Sequence, residues 1–166
     1  LPEDTGYVEG RLISDTKEIV FDPDHARFSI HTPYCGYFSG APEEEISLSD
    51  KICVEAENER ITLALIAKDE INILTAMGTT GMDETTFGKG PELMGIPFAA
   101  VEFKGKLYAE TLEGCIRVKA ENAKLEVLNP IGEVIAEMNG EKTGDEIRFA
   151  MDGSVPGIQY RLVVGE

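Results

Sequence analysis

Short stretches rich in β-branched and aromatic residues, separated by turn-forming residues, run through almost the whole sequence. Several of them alternate apolar with charged positions, as in Cys115–Lys119 and Lys124–Leu128. Such alternation is typical of a β-strand with one face toward the core and the other toward water. Helical periodicity is hard to find. The sequence therefore predicts about fourteen short antiparallel strands in an all-β fold, a β-sandwich or jelly roll.

Turn-forming residues divide the predicted strands, the first of which is Val8–Ile13. Asp22–His25 and Asn129–Gly132 each carry Pro at the second position, which predicts a turn. Three further pairs predict tight links between strands: Lys104-Gly105, Asn139-Gly140 and Asp152-Gly153. Gly78–Pro97 is rich in Gly and Thr and predicts an extended loop, a kind of segment that often carries function on a β scaffold.

The length and charge of the chain restrict what it can be and what it can bind. Its 166 residues suit one β-sandwich domain, which we expect over residues 7–166 after a linker remnant, Leu1–Gly6. The 15 Lys and Arg against 31 Asp and Glu give a net charge of −16. Nucleic acids and anionic membranes are bound by clustered cations, so this balance argues against both as partners. It predicts a soluble domain with a neutral or cationic ligand.

The residues that commonly carry catalysis do not form a recognisable motif. There is no GxSxG, HExxH, P-loop or GxGxxG pattern. Thr32-Pro33 interrupts the strand between His31 and Cys35, so we expect an edge histidine and a packed cysteine rather than a nucleophilic pair. Acidic residues are so numerous that no glycosidase-type carboxylate pair stands out. We therefore expect no catalytic residues in this chain.

Cysteines and acidic clusters are the candidates for metal or disulfide chemistry. The chain has three cysteines, Cys35, Cys53 and Cys115, with no Cys-x-x-Cys spacing. An odd number so spaced argues against a disulfide framework or a zinc site and predicts buried free thiols. Acidic clusters in or beside loops are Asp22-Pro23-Asp24, Glu43–Glu45, Glu55 with Glu57, and Asp83-Glu84. A structural calcium and a solvated acidic surface both remain open for them, because calcium requires only several oxygen ligands.

Sugar binding needs an aromatic ring that stacks on the apolar face of a pyranose, with polar groups nearby. Trp is absent, and the aromatic residues closest together in the sequence are Tyr34, Tyr37 and Phe38. On a strand Tyr34 and Phe38 share a face, which leaves Tyr37 as the exposed candidate. The sequence predicts a site formed by these residues and the Gly78–Gly90 loop. Within that loop Phe87 is a second candidate ring, and Asp83 and Glu84 are candidate acceptors for sugar hydroxyl groups.

Four segments resemble accessory β-sandwich domains of bacterial glycoside hydrolases. Leu12–Asp22 and Phe28–Pro33 are similar to the family's "SDTGE(I/L)xWD" and to a strand ending in "VDTP". Ile73–Met82 is similar to "LLTAVGRxxNTG", and Ala100–Gly105 falls where the family has "PVxGxV". The resemblance covers roughly residues 12–105. The chain departs from the family at three positions: Phe21 stands in place of Trp, Lys17 in place of Gly, and Thr79 where Arg is frequent.

The resemblance implies a non-catalytic carbohydrate-binding module attached to the catalytic domain of an extracellular glycoside hydrolase. Its expected partners are a plant polysaccharide and that parent domain. The alternative is a purely structural β-sandwich that packs against the parent catalytic domain without binding sugar, which predicts an exposed apolar patch. A stand-alone enzyme would instead turn over aryl glycosides, and we expect no such turnover.

Overall fold

A computed structural model describes the backbone of residues 4–42, 45–68, 70–93 and 96–165, and the side chains of these residues except 82–105. The fold is all-β, and none of the described residues lies in a helix. The strands are β1 Gly6–Val8, β2 Arg11–Ile13, β3 Ile19–Asp22, β4 Arg27–His31, β5 Cys35–Gly40, β6 Ile46–Ser47, β7 Ile52–Ala56, β8 Ile61–Lys68, β9 Ile71–Met77, β10 Thr80–Leu93, β11 Ile96–Ala109, β12 Glu113–Lys119, β13 Asn122–Leu128, β14 Val134–Met138, β15 Glu141–Thr143, β16 Glu146–Asp152 and β17 Gln159–Gly165. Among the described residues no helix is long and apolar enough to cross a membrane.

Two compact units divide the chain: Leu1–Gly78 together with Thr111–Glu166, and Thr79–Glu110. The larger unit holds a ten-stranded sheet in the order β1-β2-β3-β4-β5-β8-β9-β17-β13-β14 and a five-stranded sheet in the order β15-β16-β12-β7-β6. All of their strand pairs are antiparallel. The predicted all-β fold of antiparallel strands is confirmed.

One hydrophobic core draws side chains from both sheets of the larger unit. Leu63, Leu74 and Tyr160 of the ten-stranded sheet and Ile116 and Phe149 of the five-stranded sheet are fully buried in a single cluster. Full burial of such a side chain stabilises the fold by about 1.5–3 kcal/mol. Every inward residue of the ten-stranded sheet in this cluster comes from β5, β8, β9, β13 or β17, and none comes from β1–β4.

The structure bears out some of the predicted turns and not others. Asp22–His25 and Asn129–Gly132 do connect adjacent strands, and in the second turn the Asn129 Oδ1 accepts backbone hydrogen bonds from two residues that follow it. Val8–Ile13 is a two-strand hairpin rather than one strand, because Glu9 and Gly10 both have positive φ, the geometry of a tight turn. Asn139-Gly140 joins strands of different sheets instead of closing a hairpin.

The smaller unit is a long antiparallel hairpin of β10 and β11. The predicted extended loop over Gly78–Pro97 is therefore wrong, since most of it is strand, and the predicted link at Lys104-Gly105 lies inside β11. Thr is a good strand former, and backbone pairing with Ala99–Phe103 outweighs the glycines that suggested a loop. The prediction of one domain over residues 7–166 stays a prediction.

Candidate functional site

A cleft of about 780 Å³ opens at one end of the larger unit, where strand ends of both sheets meet. Two loops form much of its rim: the Thr32 loop (residues 32–34) between β4 and β5, and the Ser49 loop (residues 48–51) between β6 and β7. The ends of β8 and β17 and the start of β9 complete the wall. The cleft thus gathers residues that are far apart in the sequence.

The same hydrogen-bonding device fixes both loops. Thr32 Oγ1 accepts hydrogen bonds from the backbone N–H groups two and three residues further on, at 3.2 and 3.0 Å. Ser49 Oγ does the same at 3.3 and 3.1 Å. Hydroxyl groups that satisfy local N–H groups in this way are a standard means of fixing a turn. The backbones of Tyr34 and Lys51 are therefore held in place before any ligand arrives.

Close packing brings the Ser49 loop against β5. Gly36 of β5 has so little room that a Cβ atom built on it would lie 2.1 Å from the backbone oxygen of Leu48. Only glycine accommodates such an approach. Across the rim, His31 Nε2 lies 3.8 Å from Asp50 Oδ1, an ion pair when the imidazole is protonated. Gly36 and this contact together set how far apart the two loops stand.

The cleft presents an aromatic ring, an amide and charges of both signs. The Tyr34 ring is 76% exposed at the rim, whereas Asn72 of β9 is only 6% exposed. Lys51, Lys68 and Asp50 add exposed charges to the lining. A ring of this kind can stack on an apolar surface, and the polar groups can donate and accept hydrogen bonds. The arrangement suits a polyhydroxylated ligand with an apolar face.

The structure separates the three aromatic residues that the sequence grouped. Tyr34 precedes β5 and lines the cleft. Tyr37 is half-buried on the outer face of the ten-stranded sheet, where its ring meets Phe28 edge to face at 5.8 Å. Phe38 belongs to the core cluster and is only 7% exposed, so little of its ring can meet a ligand, and its predicted role in binding stays a prediction. The most exposed ring of the three is Tyr34, not Tyr37 as predicted.

The remaining predicted site residues lie in the smaller unit. Asp83, Glu84 and Phe87 fall within β10, where Asp83 occupies an irregularity in the pairing with β11. Their side chains are outside the described residues. Their predicted roles in sugar binding stay predictions.

The cysteines and histidines do not assemble a nucleophilic site among the described residues. His31 pairs with the inward-facing Gly36, so the adjacent Cys35 projects from the opposite face of the sheet. Cys35, Cys53 and Cys115 are free thiols, as predicted, although each is half-buried rather than buried. Burial raises the pKa of the Cys53 thiol.

The acidic clusters are largely engaged by cations where the structure describes them. Asp22 is held by His25 Nδ1 at 2.9 Å and by Arg11 Nε at 3.3 Å, and the hydrogen bond with His25 lowers the pKa of Asp22. Glu55 lies 3.0 Å from Arg117 and from Arg148. No group of three metal-binding side chains occurs in the described part of the chain, and Glu43 and Glu44 lie outside it. Structural calcium stays a prediction.

Sequence reasoning missed most of the cleft. Thr32-Pro33 and Ser49-Asp50 carried a usable signal, because a hydroxyl residue before a turn former favours a fixed turn. Asn72 carried another, as the one polar residue among the inward positions of β9, next to Leu74 and Ala76. No local sequence pattern predicts that Lys51 and Lys68 line the same cleft.

Comparison with models of known protein families, with curated proteins and with solved structures found no match for this chain. The resemblance to accessory domains of glycoside hydrolases therefore stays a prediction. Its segments Leu12–Asp22 and Phe28–Pro33 correspond to β2–β4 and the start of the Thr32 loop. A function for the chain must accordingly be argued from its own geometry.

Proposed function

We propose that this chain is a non-catalytic carbohydrate-binding module of a secreted bacterial glycoside hydrolase, and that the cleft binds the plant polysaccharide. The observation that carries the proposal is the exposed ring of Tyr34, whose backbone N–H donates to the Thr32 hydroxyl, beside the amide and charged groups of the cleft. A loop backbone fixed in this way favours affinity, because the loop loses less conformational entropy on binding. The cleft supplies polar partners for the sugar hydroxyl groups.

We further propose that the larger unit is a β-sandwich. Two antiparallel sheets that share one hydrophobic core support that architecture. Loops gather at the ends of a sandwich, and ligand sites commonly lie among them. The position of the cleft at the strand ends agrees with this arrangement.

The test compares two exposed tyrosines. Tyr34 and Tyr7 are 76% and 71% exposed, but Tyr7 lies on β1 and does not line the cleft. Affinity electrophoresis of the chain in a panel of soluble polysaccharides identifies a ligand, and calorimetry gives its dissociation constant. Tyr34→Ala should weaken binding about tenfold, which corresponds to about 1.4 kcal/mol, whereas Tyr7→Ala should leave it unchanged.

Both variants should keep the wild-type melting temperature, because neither ring is buried. Absence of retardation by every glycan would contradict the binding function. Equal affinity of Tyr34→Ala and wild type for the glycan would show that the glycan does not bind in the cleft.

A structural role is the second candidate, and the outer face of the ten-stranded sheet favours it. Tyr7, Leu12 and Phe21 lie side by side across β1, β2 and β3, and Ile19 lies in the next row. These four side chains are between 39% and 71% exposed. A contiguous apolar surface is the kind of patch on which another domain packs.

The two candidates predict opposite variant behaviour in the parent enzyme. If the chain packs on a catalytic domain, Leu12→Ser should lower the melting temperature of the parent while glycan affinity is retained. If the chain binds glycan, Tyr34→Ala should lower glycan affinity while the melting temperature of the parent is retained. Leu12 is 48% exposed, so Leu12→Ser should leave the isolated chain folded, and this is checked by its own melting curve.

A further inference from the structure

Two lysines in the cleft form no ion pair among the described residues, although the protein is strongly acidic. The chain carries a net charge of −16, and most described cations lie within 4 Å of a carboxylate, among them Arg11, Arg117 and Arg161. Lys51 and Lys68 make no ion pair with any described carboxylate, and both line the cleft. Their convergence on one cleft leaves two positive charges available to a ligand.

A buried amide in the same cleft also lacks a partner. Asn72 is 6% exposed and occupies an inward position of β9 beside Leu74, yet its side chain makes no hydrogen bond to any described residue. The amide is not among the fully buried unpartnered atoms of the described residues, so it reaches the cleft through the small exposed part of the residue. Its amide donates two hydrogen bonds and accepts others. This donor is available to the same ligand as the two lysines.

The acidic groups in the cleft restrict the class of anion. Asp50 and Glu70 also line it, so the cleft is close to neutral overall and does not attract anions indiscriminately. Asp50 is held near His31, and carboxylates in such positions accept hydrogen bonds from hydroxyl groups. A ligand that uses every group must therefore carry a carboxylate, several hydroxyls and an apolar face for Tyr34.

We propose that the cleft recognises a uronic acid residue of an acidic polysaccharide. The ammonium groups of Lys51 and Lys68 bind its carboxylate, the ring of Tyr34 stacks on the sugar, and Asn72 supplies a buried hydrogen bond. The inference rests on the proposed carbohydrate-binding function and names its ligand class. It also revises the expectation, drawn from net charge alone, that the ligand is neutral or cationic.

The experiment uses the whole chain with oligogalacturonate and its methyl ester, which share ring and hydroxyl groups but differ in charge. The acid should bind about tenfold more tightly than the ester at low ionic strength, and the difference should shrink at about 0.15 M salt because exposed charges are screened. Lys68→Gln should weaken binding of the acid far more than binding of the ester, and so remove most of the difference. Lys51→Gln should do the same.

Arg60→Gln is the matched control. Arg60 is also exposed and unpaired within the described structure, but it precedes β8, whereas Lys68 ends that strand. The two residues therefore lie roughly 25 Å apart, and both substitutions change the net charge equally. Asn72→Leu adds a further readout, since removing an amide that reaches the cleft should weaken the binding of both glycans.

Equal binding of acid and ester, or equal losses for Arg60→Gln and Lys68→Gln, would overturn the uronate assignment. Equally tight binding of an acidic peptide would overturn it as well, because the sugar ring would then contribute nothing. If neutral glycans bind and uronates gain no advantage, the carbohydrate-binding function survives without this inference. If no glycan binds at all, the proposed function fails and the inference fails with it.

Discussion

Replacing Gly36 by alanine tests whether close packing of the Ser49 loop on β5 holds the cleft together. The added Cβ would lie 2.1 Å from the Leu48 backbone oxygen and 2.8 Å from two further Leu48 backbone atoms. A carbon and a carbonyl oxygen in contact are about 3.3 Å apart, so the loop must retreat by roughly 1.2 Å. Leu48 is fully buried and its N–H donates to Ile52 at 2.9 Å, which leaves the loop little freedom to move.

We therefore expect a cost near the upper end of the range for overpacking, about 3 kcal/mol. For a chain of this length that corresponds to a melting temperature lowered by roughly 6–12 °C. Thermal and urea unfolding followed by circular dichroism measure the loss. Displacement of the Ser49 loop should also weaken glycan binding, because Lys51 moves with it.

Gly165→Ala is the control for this prediction. Gly165 also lines the cleft, but a Cβ there would meet Asn122 atoms at ordinary distances of 3.4 and 3.6 Å. Its effect should stay within about 0.5 kcal/mol of wild type. A Gly36→Ala protein as stable as Gly165→Ala would show that the Leu48 loop yields freely, and the argument for a rigid rim would fail.

Three further predictions concern groups away from the cleft. Burial raises the pKa of Tyr160 to about 12. Because an unfolded tyrosine ionises at about pH 10, the free energy of unfolding should fall as pH rises from about 10 toward 12. Tyr160→Phe should abolish that fall in urea titrations. Arg117→Met leaves Glu45 and Glu146 without their cation, while Glu55 keeps Arg148, and should cost about 1–2 kcal/mol, partly recovered by salt. Lys142→Met at an exposed pair should leave the free energy of unfolding nearly unchanged in the same assay. The hydrogen bond with His25 lowers the pKa of Asp22. The stability that this carboxylate contributes is therefore present above the usual carboxyl range and is lost as pH falls through the lowered pKa. Melting temperatures measured at successive acidic pH values should decline less steeply for Asp22→Asn than for wild type.

Local patterns predicted the strands and several turns, because both depend on near neighbours in the sequence. Lys124–Leu128 alternates and forms part of β13, and the Asn129-Pro130 turn follows it as expected. Local patterns could not predict which strands pair with each other, because β5 pairs with β8 and β13 pairs with β17 although these strands are distant in the sequence. The glycines of β10 suggested a loop, but backbone pairing with β11 makes this segment a strand.

The candidate site was predictable only in part, for a related reason. Tyr34 was identified by residue type, but its separation from Phe38 follows from the Thr32 hydroxyl bonds, which delay the start of β5 to Cys35. Lys51 lies in the Ser49 loop between two strands of the five-stranded sheet, whereas Lys68 ends β8 of the ten-stranded sheet, so only the fold brings them to one cleft. The net charge argued against the anionic ligand proposed above, because a total over the whole chain does not show that the unpaired Lys51 and Lys68 line one cleft.

The absence of β1–β4 side chains from the core cluster has a consequence for dynamics. Segments with few buried contacts open locally at a small fraction of the global unfolding free energy. Amide hydrogens of β2 and β3 should therefore exchange with deuterated solvent orders of magnitude faster than those of β8 and β9. Docking of Phe21 and its neighbours on another domain would slow that exchange, whereas a glycan would instead protect the Thr32 and Ser49 loops. If the chain belongs to a larger enzyme as proposed, the exchange pattern of that enzyme thus distinguishes the surface in use without any substitution.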